Sequence, residues 1–231
     1  MVSRLYWICI EISLLMDNFN AAYGRILAEE DNNVNTIGIF PGAFKPPHIG
    51  HYHTALDACK QCDSFYIFVS SKSRPLSTTN KAQGAKDVCD SDRYANIFKS
   101  EKFIGNLLSV QPAACARMTS ATAFRTAMSV KDKNTIIENL PQGADVDKIF
   151  DILMRSNDIA GAQFGHVTVD QAMQIWQEYI PLLSQQSGMP VENIILDVSE
   201  ISPVKDTYDL VGDINNSEGA GMTSIKLYVG T

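Results

Sequence analysis

Two histidines three residues apart are the side chains of this sequence best suited to chemistry. His48 and His51 stand in a stretch rich in glycine and proline, Gly42–His51 (GAFKPPHIGH). At the start of a helix, residues three apart share a face, so the two imidazoles would lie side by side. Backbone N–H groups at a helix start attract anions, and small residues let a phosphate come close. The stretch therefore predicts a phosphate site in a protein that handles nucleotides.

The segments around the histidines are of the kind that would position them. Thr36–Phe40 is a short apolar run that predicts a buried strand, and His51–Lys60 has the apolar spacing of an amphipathic helix. A strand, a turn rich in glycine and proline and a helix in this order make a ready phosphate site.

The stretch Gly42–His51 resembles the HxGH signature of the nucleotidyltransferase superfamily, which shares its fold with class I aminoacyl-tRNA synthetases. The preceding strand, the Gly-x-Phe opening and the proline before His48 add to the likeness. One position departs from the family, because many members carry Asp, Asn or Gln where this chain has Lys45. A cation there suits a triphosphate but leaves the substrate class open.

A second stretch resembles the family's other signature, ISSTxxR. In Met118–Arg125, the residues Ser120, Ala121, Thr122 and Arg125 are in register with it. Serine and threonine open helices as caps, and an arginine one turn later supplies a charged fork for phosphate. An ordinary N-cap followed by an exposed arginine would give the same local pattern, so the pairing with HxGH carries the interpretation.

The resemblance implies nucleotidyl transfer, in which an acceptor oxygen attacks the α-phosphate of a nucleoside triphosphate and pyrophosphate leaves. It implies catalytic roles for His48, His51 and Lys45. It also implies a nucleotide site, with these residues: Phe44, Gly50, Ser120, Thr122 and Arg125. A Mg²⁺ ion bridging the phosphates is expected to arrive with the substrate, so we expect no protein metal ligands.

The acceptor is expected to be a phosphorylated small molecule held by the loop after the second strand, Ser70–Leu76. Lys72 and Arg74 suit an acceptor phosphate, although two exposed cations on a solvated loop would give the same sequence. Asp87 and Arg93 are weaker candidates for contacts with the ribose or the acceptor. AMP transfer from ATP is favoured by likeness to nicotinamide-mononucleotide adenylyltransferases, while pantetheine-phosphate adenylyltransferases and cytidylyltransferases stay open.

Strand and helix patterns alternate, which predicts a Rossmann-like α/β fold with a mainly parallel five-stranded sheet and helices on both faces. We expect residues 1–34 to form an N-terminal extension and helix, and residues 35–231 the α/β domain. The expected strands are Thr36–Phe40, Ser64–Ser71, Leu107–Ala113, Asn193–Val198 and Ser224–Val229. The expected helices are Asp17–Glu30, Ile49–Gln61, Arg93–Ser100, Ala121–Ser129, Val146–Arg155 and Val169–Ser187.

The order of these segments differs from that of the family. The ISSTxxR-like motif comes after a single loop, and two strand candidates follow it. We hypothesise a permuted chain in which residues 163–231 occupy the space that the family places between residues 83 and 86. A natural variant topology is the alternative, and the distance from Thr231 to Lys86 separates the two.

Composition limits the class of partner. The net charge of the chain is −7, and its basic residues form no stripe. Both features argue against a broad nucleic-acid surface, so local cations must hold an anionic nucleotide. Five cysteines without regular spacing favour free thiols in a reducing, cytoplasmic compartment (the host's, if the chain is viral). The apolar stretch Leu5–Met16 is too short to span a bilayer, and we expect residues 1–15 to be an extension or packing arm, with secretion as the alternative.

A second function is compatible with the same residues. A catalytically idle nucleotide-binding protein, or a phage-particle-associated one, could be built on this fold, because fold alone does not establish activity. The sequence FKPPHIGH also resembles the corresponding stretch of nucleotidyltransferase-like proteins of tailed bacteriophages. Homo-oligomerisation, the acceptor and the choice between ATP and CTP are open at this point.

Overall fold

A computed structural model describes residues 34–72, 74–75, 94, 96–100, 103, 105–113, 121–155 and 166–228. The chain divides into two units, Met1–Val34 and Asn35–Thr231, and the fold below is that of the second unit. The predicted helix Asp17–Glu30 and the extension before it lie outside the described residues. Among those described, no helix combines the length and the apolar character that crossing a bilayer requires.

Five strands form one parallel sheet, and two short strands form an antiparallel pair. The strands are β1 (Asn35–Gly42), β2 (Ser64–Ser70), β3 (Arg74–Pro75), β4 (Ser109–Pro112), β5 (His166–Val167), β6 (Ile194–Ser199) and β7 (Thr223–Leu227). The sheet order is β4-β7-β1-β2-β6, and β3 pairs with β5. Every pairing in the five-stranded sheet is parallel, as the alternating pattern predicted.

Helices cover both faces of this sheet. They are α1 (Ile49–Cys59), α2 (Ala121–Ser129), α3 (Lys133–Glu138), α4 (Val146–Met154), α5 (Val169–Ser187) and α6 (Pro203–Asn215). Phe40 and Phe65 point to the face covered by α1 and α5, whereas Ile39 and Phe68 point to the face covered by α6. This alternation along each strand is what gives two separate apolar layers.

Helix α5 begins and ends at residues suited to those positions. Thr168 caps its first turn in a reciprocal pair with Gln171, and Gly188 ends it with φ 82°, a left-handed conformation that glycine adopts without strain. The predicted apolar stripe of this helix is core, since each of its members is fully buried: Ala172, Ile175, Trp176, Tyr179 and Leu183.

The five predicted strands and four of the predicted helices are confirmed, with ends shifted by up to two residues. The helix predicted over Arg93–Ser100 is wrong, because Tyr94 and residues 96–99 form turns. Two helices, α3 and α6, were missed. The sequence does mark the start of helix α6. Ser202 is its N-cap, with a hydroxyl that accepts from the Val204 N–H, and Pro203 occupies the first helical position.

The strands that follow the ISSTxxR-like motif in the chain join the sheet on both sides of its centre. β6 lies beside β2, and β7 lies between β1 and β4. The sheet thus places strands from residues 163–231 next to β1 and β2. Thr231 and Lys86 lie outside the described residues, so the permuted order stays a prediction.

Candidate active site

The predicted site lies at the carboxyl edge of β1, where a tight turn leads into α1. Phe44 adopts φ 45°, in the left-handed region, and its ring folds back over Gly42. A Cβ atom placed on Gly42 would lie 2.6 Å from that ring, so any other residue would force the ring to shift. Phe44 is 3% exposed and belongs to the apolar core, so its ring packs inside the protein.

The two histidines cap the start of α1. His48 is the N-cap residue, and its Nδ1 accepts a hydrogen bond from the Gly50 N–H at 3.1 Å. His51 returns the contact, because its Nδ1 accepts from the His48 N–H at 3.3 Å. This is a capping box with histidines in the places usually taken by Ser or Thr and by Glu or Gln.

The expectation that the backbone donors of α1 would bind phosphate is wrong for its first residues. The Ile49 N–H donates to the carbonyl oxygen of Asn139 at 2.8 Å, and the Gly50 N–H donates to His48. These donors are engaged within the protein. In this arrangement the N–H groups of Ile49 and Gly50 therefore contribute no contact to an anion.

The capping bonds set which imidazole nitrogen carries a proton. In both histidines Nδ1 acts as an acceptor, so the proton lies on Nε2. His48 is also held neutral, since burial, and then the positive charge of Arg125, lower its pKa to about 4. The helix start thus prepares two Nε2–H donors, which suit the oxygens of a phosphate.

An aromatic layer holds the two imidazoles in place. Their ring centroids lie 3.8 Å apart with planes inclined by 30°. Below them, the Phe44 ring meets His51 edge-on at 5.1 Å and Trp176 at 5.3 Å. Trp176 comes from α5, more than a hundred residues further along the chain, so its place beneath the site could not be read from the local motif.

The two sequence motifs meet in space. Phe124 packs against His48 with ring centroids 6.4 Å apart, and the half-buried Arg125 is close enough for its charge to act on His48. Both residues belong to α2, which follows edge strand β4. Thr122 lies in the first turn of α2, but its side chain and all of Ser120 lie outside the description.

Lys45 connects the first turn to the loop after β2. Its side chain is 5% exposed, and its Nζ donates to the backbone carbonyl of Lys72. Lys45, which is predicted to contact the triphosphate, is therefore a neighbour of Lys72, which is predicted to contact the acceptor. The Lys72 side chain itself is exposed to solvent.

The other acceptor candidates are placed less fully. The backbone of Arg74 pairs with Val167 in the two-stranded sheet, and its side chain is outside the description. Asp87 and Arg93 also fall outside the described residues, so their roles stay predictions. Sequence reasoning missed Asn139, whose carbonyl meets the start of α1 from the end of α3 and which no local pattern marks.

Metal binding and thiol chemistry have less support than phosphate binding. Within the described part of the chain, no three His, Cys, Asp or Glu side chains cluster as metal ligands. Cys59 is buried, and desolvation, followed by the effect of Cys62, raises the pKa of its thiol to about 12. Such a thiol is a poor nucleophile, in keeping with the prediction of partly buried free thiols.

Comparison of the chain with protein-family models, with curated proteins and with solved structures finds no match.

Proposed function

We propose that this protein is a nucleotidyltransferase that moves a nucleoside monophosphate, preferably AMP, from a nucleoside triphosphate to a phosphorylated small molecule. The observation that carries the proposal is the contact between the two motifs. Phe124 of the ISSTxxR-like helix packs against His48 of the HxGH-like turn, and the positive charge of Arg125 lowers the pKa of His48. Two stretches more than seventy residues apart thus supply donors to one place at the carboxyl edge of the sheet.

The reaction needs position and charge more than a protein nucleophile. An oxygen of the acceptor phosphate forms a bond to the α-phosphorus, the bond to the bridging oxygen breaks, and pyrophosphate leaves with the electron pair. Negative charge grows on the oxygens around the α-phosphorus as this happens. Donors already fixed in place stabilise that charge without reorganising.

Neutral and positively charged residues have different roles in this reaction. His48 and His51 supply neutral Nε2–H donors, which suit the α-phosphate oxygens. Arg125 and Lys45 supply positive charge for the β- and γ-phosphates. Because His48 stays neutral at physiological pH, it can donate a hydrogen bond but does not act as a general acid from the imidazolium form.

A Mg²⁺ ion belongs, in this proposal, to the nucleotide substrate. The donors placed at the site are imidazole N–H groups and cations, which fit phosphate oxygens and not a metal. Ions of this kind usually bind through the phosphates together with few protein ligands. We therefore assign no side chain of this chain to metal binding.

Pyrophosphate release tests the proposal. Purified protein is incubated with ATP or CTP and a panel of phosphomonoester acceptors, and pyrophosphate is measured. We expect release that depends on both substrates. His48→Ala and His51→Ala should lower kcat far more than they weaken nucleotide affinity, because the donors act on charge that develops in the transition state. His53→Ala, on the same helix, is the matched control and should leave turnover unchanged.

One observation favours a second function, that of an idle nucleotide-binding protein. His48 and His51 are 1% and 6% exposed, and both cap a helix, which gives them a structural reason to be present. A protein that binds ATP but releases no pyrophosphate with any acceptor would support this alternative. Equal losses of affinity and turnover in the histidine variants would do the same.

A further inference from the structure

Lys45 occupies a position between the two substrate loops of the proposed enzyme. Lys45 is a buried residue in the turn after β1, and its Nζ donates to the Lys72 carbonyl in the loop after β2. An ammonium group removed from water needs acceptors to offset its lost hydration. The carbonyl of Lys72 is one such acceptor, and it comes from backbone, so the bond fixes the loop as well as the lysine.

The segment Ser70–Lys72, which we call the acceptor loop, is also fastened on its other side. The Ser71 N–H donates to the Ser199 carbonyl at 2.9 Å, and the Ser71 hydroxyl donates to the Glu200 carbonyl at 3.0 Å. Both partners belong to the end of β6 or the residue after it. The loop is therefore held between β6 and the β1 turn, and Lys45 supplies the bond on the β1 side.

A triphosphate competes directly with this arrangement. Phosphate oxygens carry negative charge, so they attract an ammonium group more strongly than a neutral carbonyl oxygen does. A lysine that engages the triphosphate gives up its bond to the Lys72 carbonyl. The acceptor loop then loses its tie to β1 and is held by its β6 contacts alone, so these contacts open more often.

We infer that Lys45 holds the acceptor loop in the empty protein and releases it when its ammonium group binds a triphosphate. The inference rests on the proposed function, since it takes the triphosphate site as given, and adds an order of events. The nucleotide binds first, and the freed loop then receives the phosphorylated acceptor. Lys45 in this way couples binding of the nucleotide to binding of the acceptor.

Hydrogen exchange of the full-length protein tests this inference, with inorganic tripolyphosphate as the probe. The readout is exchange at the Ser71 and Lys72 amides, and binding is measured separately by calorimetry. Tripolyphosphate should speed exchange at these amides on the order of tenfold, because one charge-assisted bond to the loop is lost. Lys45→Met should exchange at the faster rate without ligand and respond little to it.

Two variants control for general damage. Lys60→Met removes an exposed lysine at the other end of α1 and should behave as wild type. Lys45→Arg keeps the charge and should restore slow exchange at least in part. The ligand effect on wild type needs no variant, so a poorly folded Lys45→Met does not prevent the test.

The outcomes separate the two proposals. Binding of tripolyphosphate with unchanged exchange at Ser71 and Lys72 would overturn the role of Lys45 and leave the nucleotidyltransferase proposal standing. Slower exchange on binding would overturn it as well. Absence of binding by both tripolyphosphate and ATP would overturn the proposed function, and with it the release of the loop.

Discussion

The imidazole rings of His48 and His51 lie side by side, with centroids 3.8 Å apart and planes inclined by 30°, and each Nδ1 accepts a hydrogen bond from a backbone N–H of the same capping box. This relationship links the local structure to the proposed chemistry. The bonds that start the helix are the same bonds that place the protons on Nε2. Stability and the state of the donors should therefore respond together when the pair is disturbed.

Acid should destabilise the protein through His48. The unfolded chain protonates this imidazole near pH 6.5, whereas the folded protein resists until about pH 4, because the ring is buried beside Arg125. A pKa lowered on folding means that the unfolded state binds more protons in this window, so the stability due to neutral His48 falls as the pH drops from 6.5 to 4. The loss should reach about 3 kcal/mol.

Urea unfolding at a series of pH values measures this effect. His48→Asn keeps a side-chain oxygen for the Gly50 N–H and has no titrating ring, so its stability should depend less on pH in this window. His53→Asn, one turn along α1, should keep the wild-type slope. Equal slopes for wild type and His48→Asn would contradict the assignment.

Gly42→Ala should destabilise the turn that carries the site. The added Cβ would lie 2.6 Å from the Phe44 ring, which itself packs on Phe40 and Trp176 and has little freedom to move. We expect a loss of about 1–3 kcal/mol in the free energy of unfolding, the usual cost of overpacking. Gly219→Ala is the control, since no atom lies within 4 Å of its added Cβ. A neutral Gly42→Ala would show that the turn is looser than described.

The bond from Ile49 to Asn139 can be removed without changing the helix. Ile49 is the first residue of α1, where proline is tolerated, and the preceding His48 has the extended backbone (φ −135°) that proline prefers in its neighbour. Ile49→Pro removes the N–H group that donates to the Asn139 carbonyl. Ile49→Ala also shortens the side chain but keeps this N–H group. We expect the proline variant to be less stable than the alanine variant by about 1 kcal/mol. Equal stability would mean that this contact contributes nothing.

The sequence predicted the scaffold well because the scaffold depends on local patterns. Apolar runs such as Phe65–Val69 mark buried parallel strands, and the spacing along Val169–Ser187 marks an amphipathic helix. Helix α6 was missed although Ser202 and Pro203 mark its start, because two of its buried residues, Thr207 and Asn215, are polar. The Arg93–Ser100 stretch had helical composition, and its described residues form turns instead.

The arrangement of the site was less accessible from sequence. The pattern of Gly42–His51 suggested free N–H donors at a helix start, and the structure uses those donors to orient the histidines. The bond between Lys45 and Lys72 depends on how two loops lie beside each other, which neither loop encodes alone. Trp176 reaches the site through the packing of α5 on α1, a tertiary contact without a local signal.

Side-chain nitrogen NMR of the histidines tests the central claim most directly, because it reports tautomer, titration and ligand contact in one experiment. The chain has four histidines, and substitution of each assigns the spectrum. We predict protonated Nε2 in His48 and His51, shifts of both Nε2 signals on addition of ATP, and a His48 pKa that rises in Arg125→Gln. ATP binding that leaves both signals in place, together with an unchanged His48 pKa in Arg125→Gln, would contradict a single site built from the two motifs.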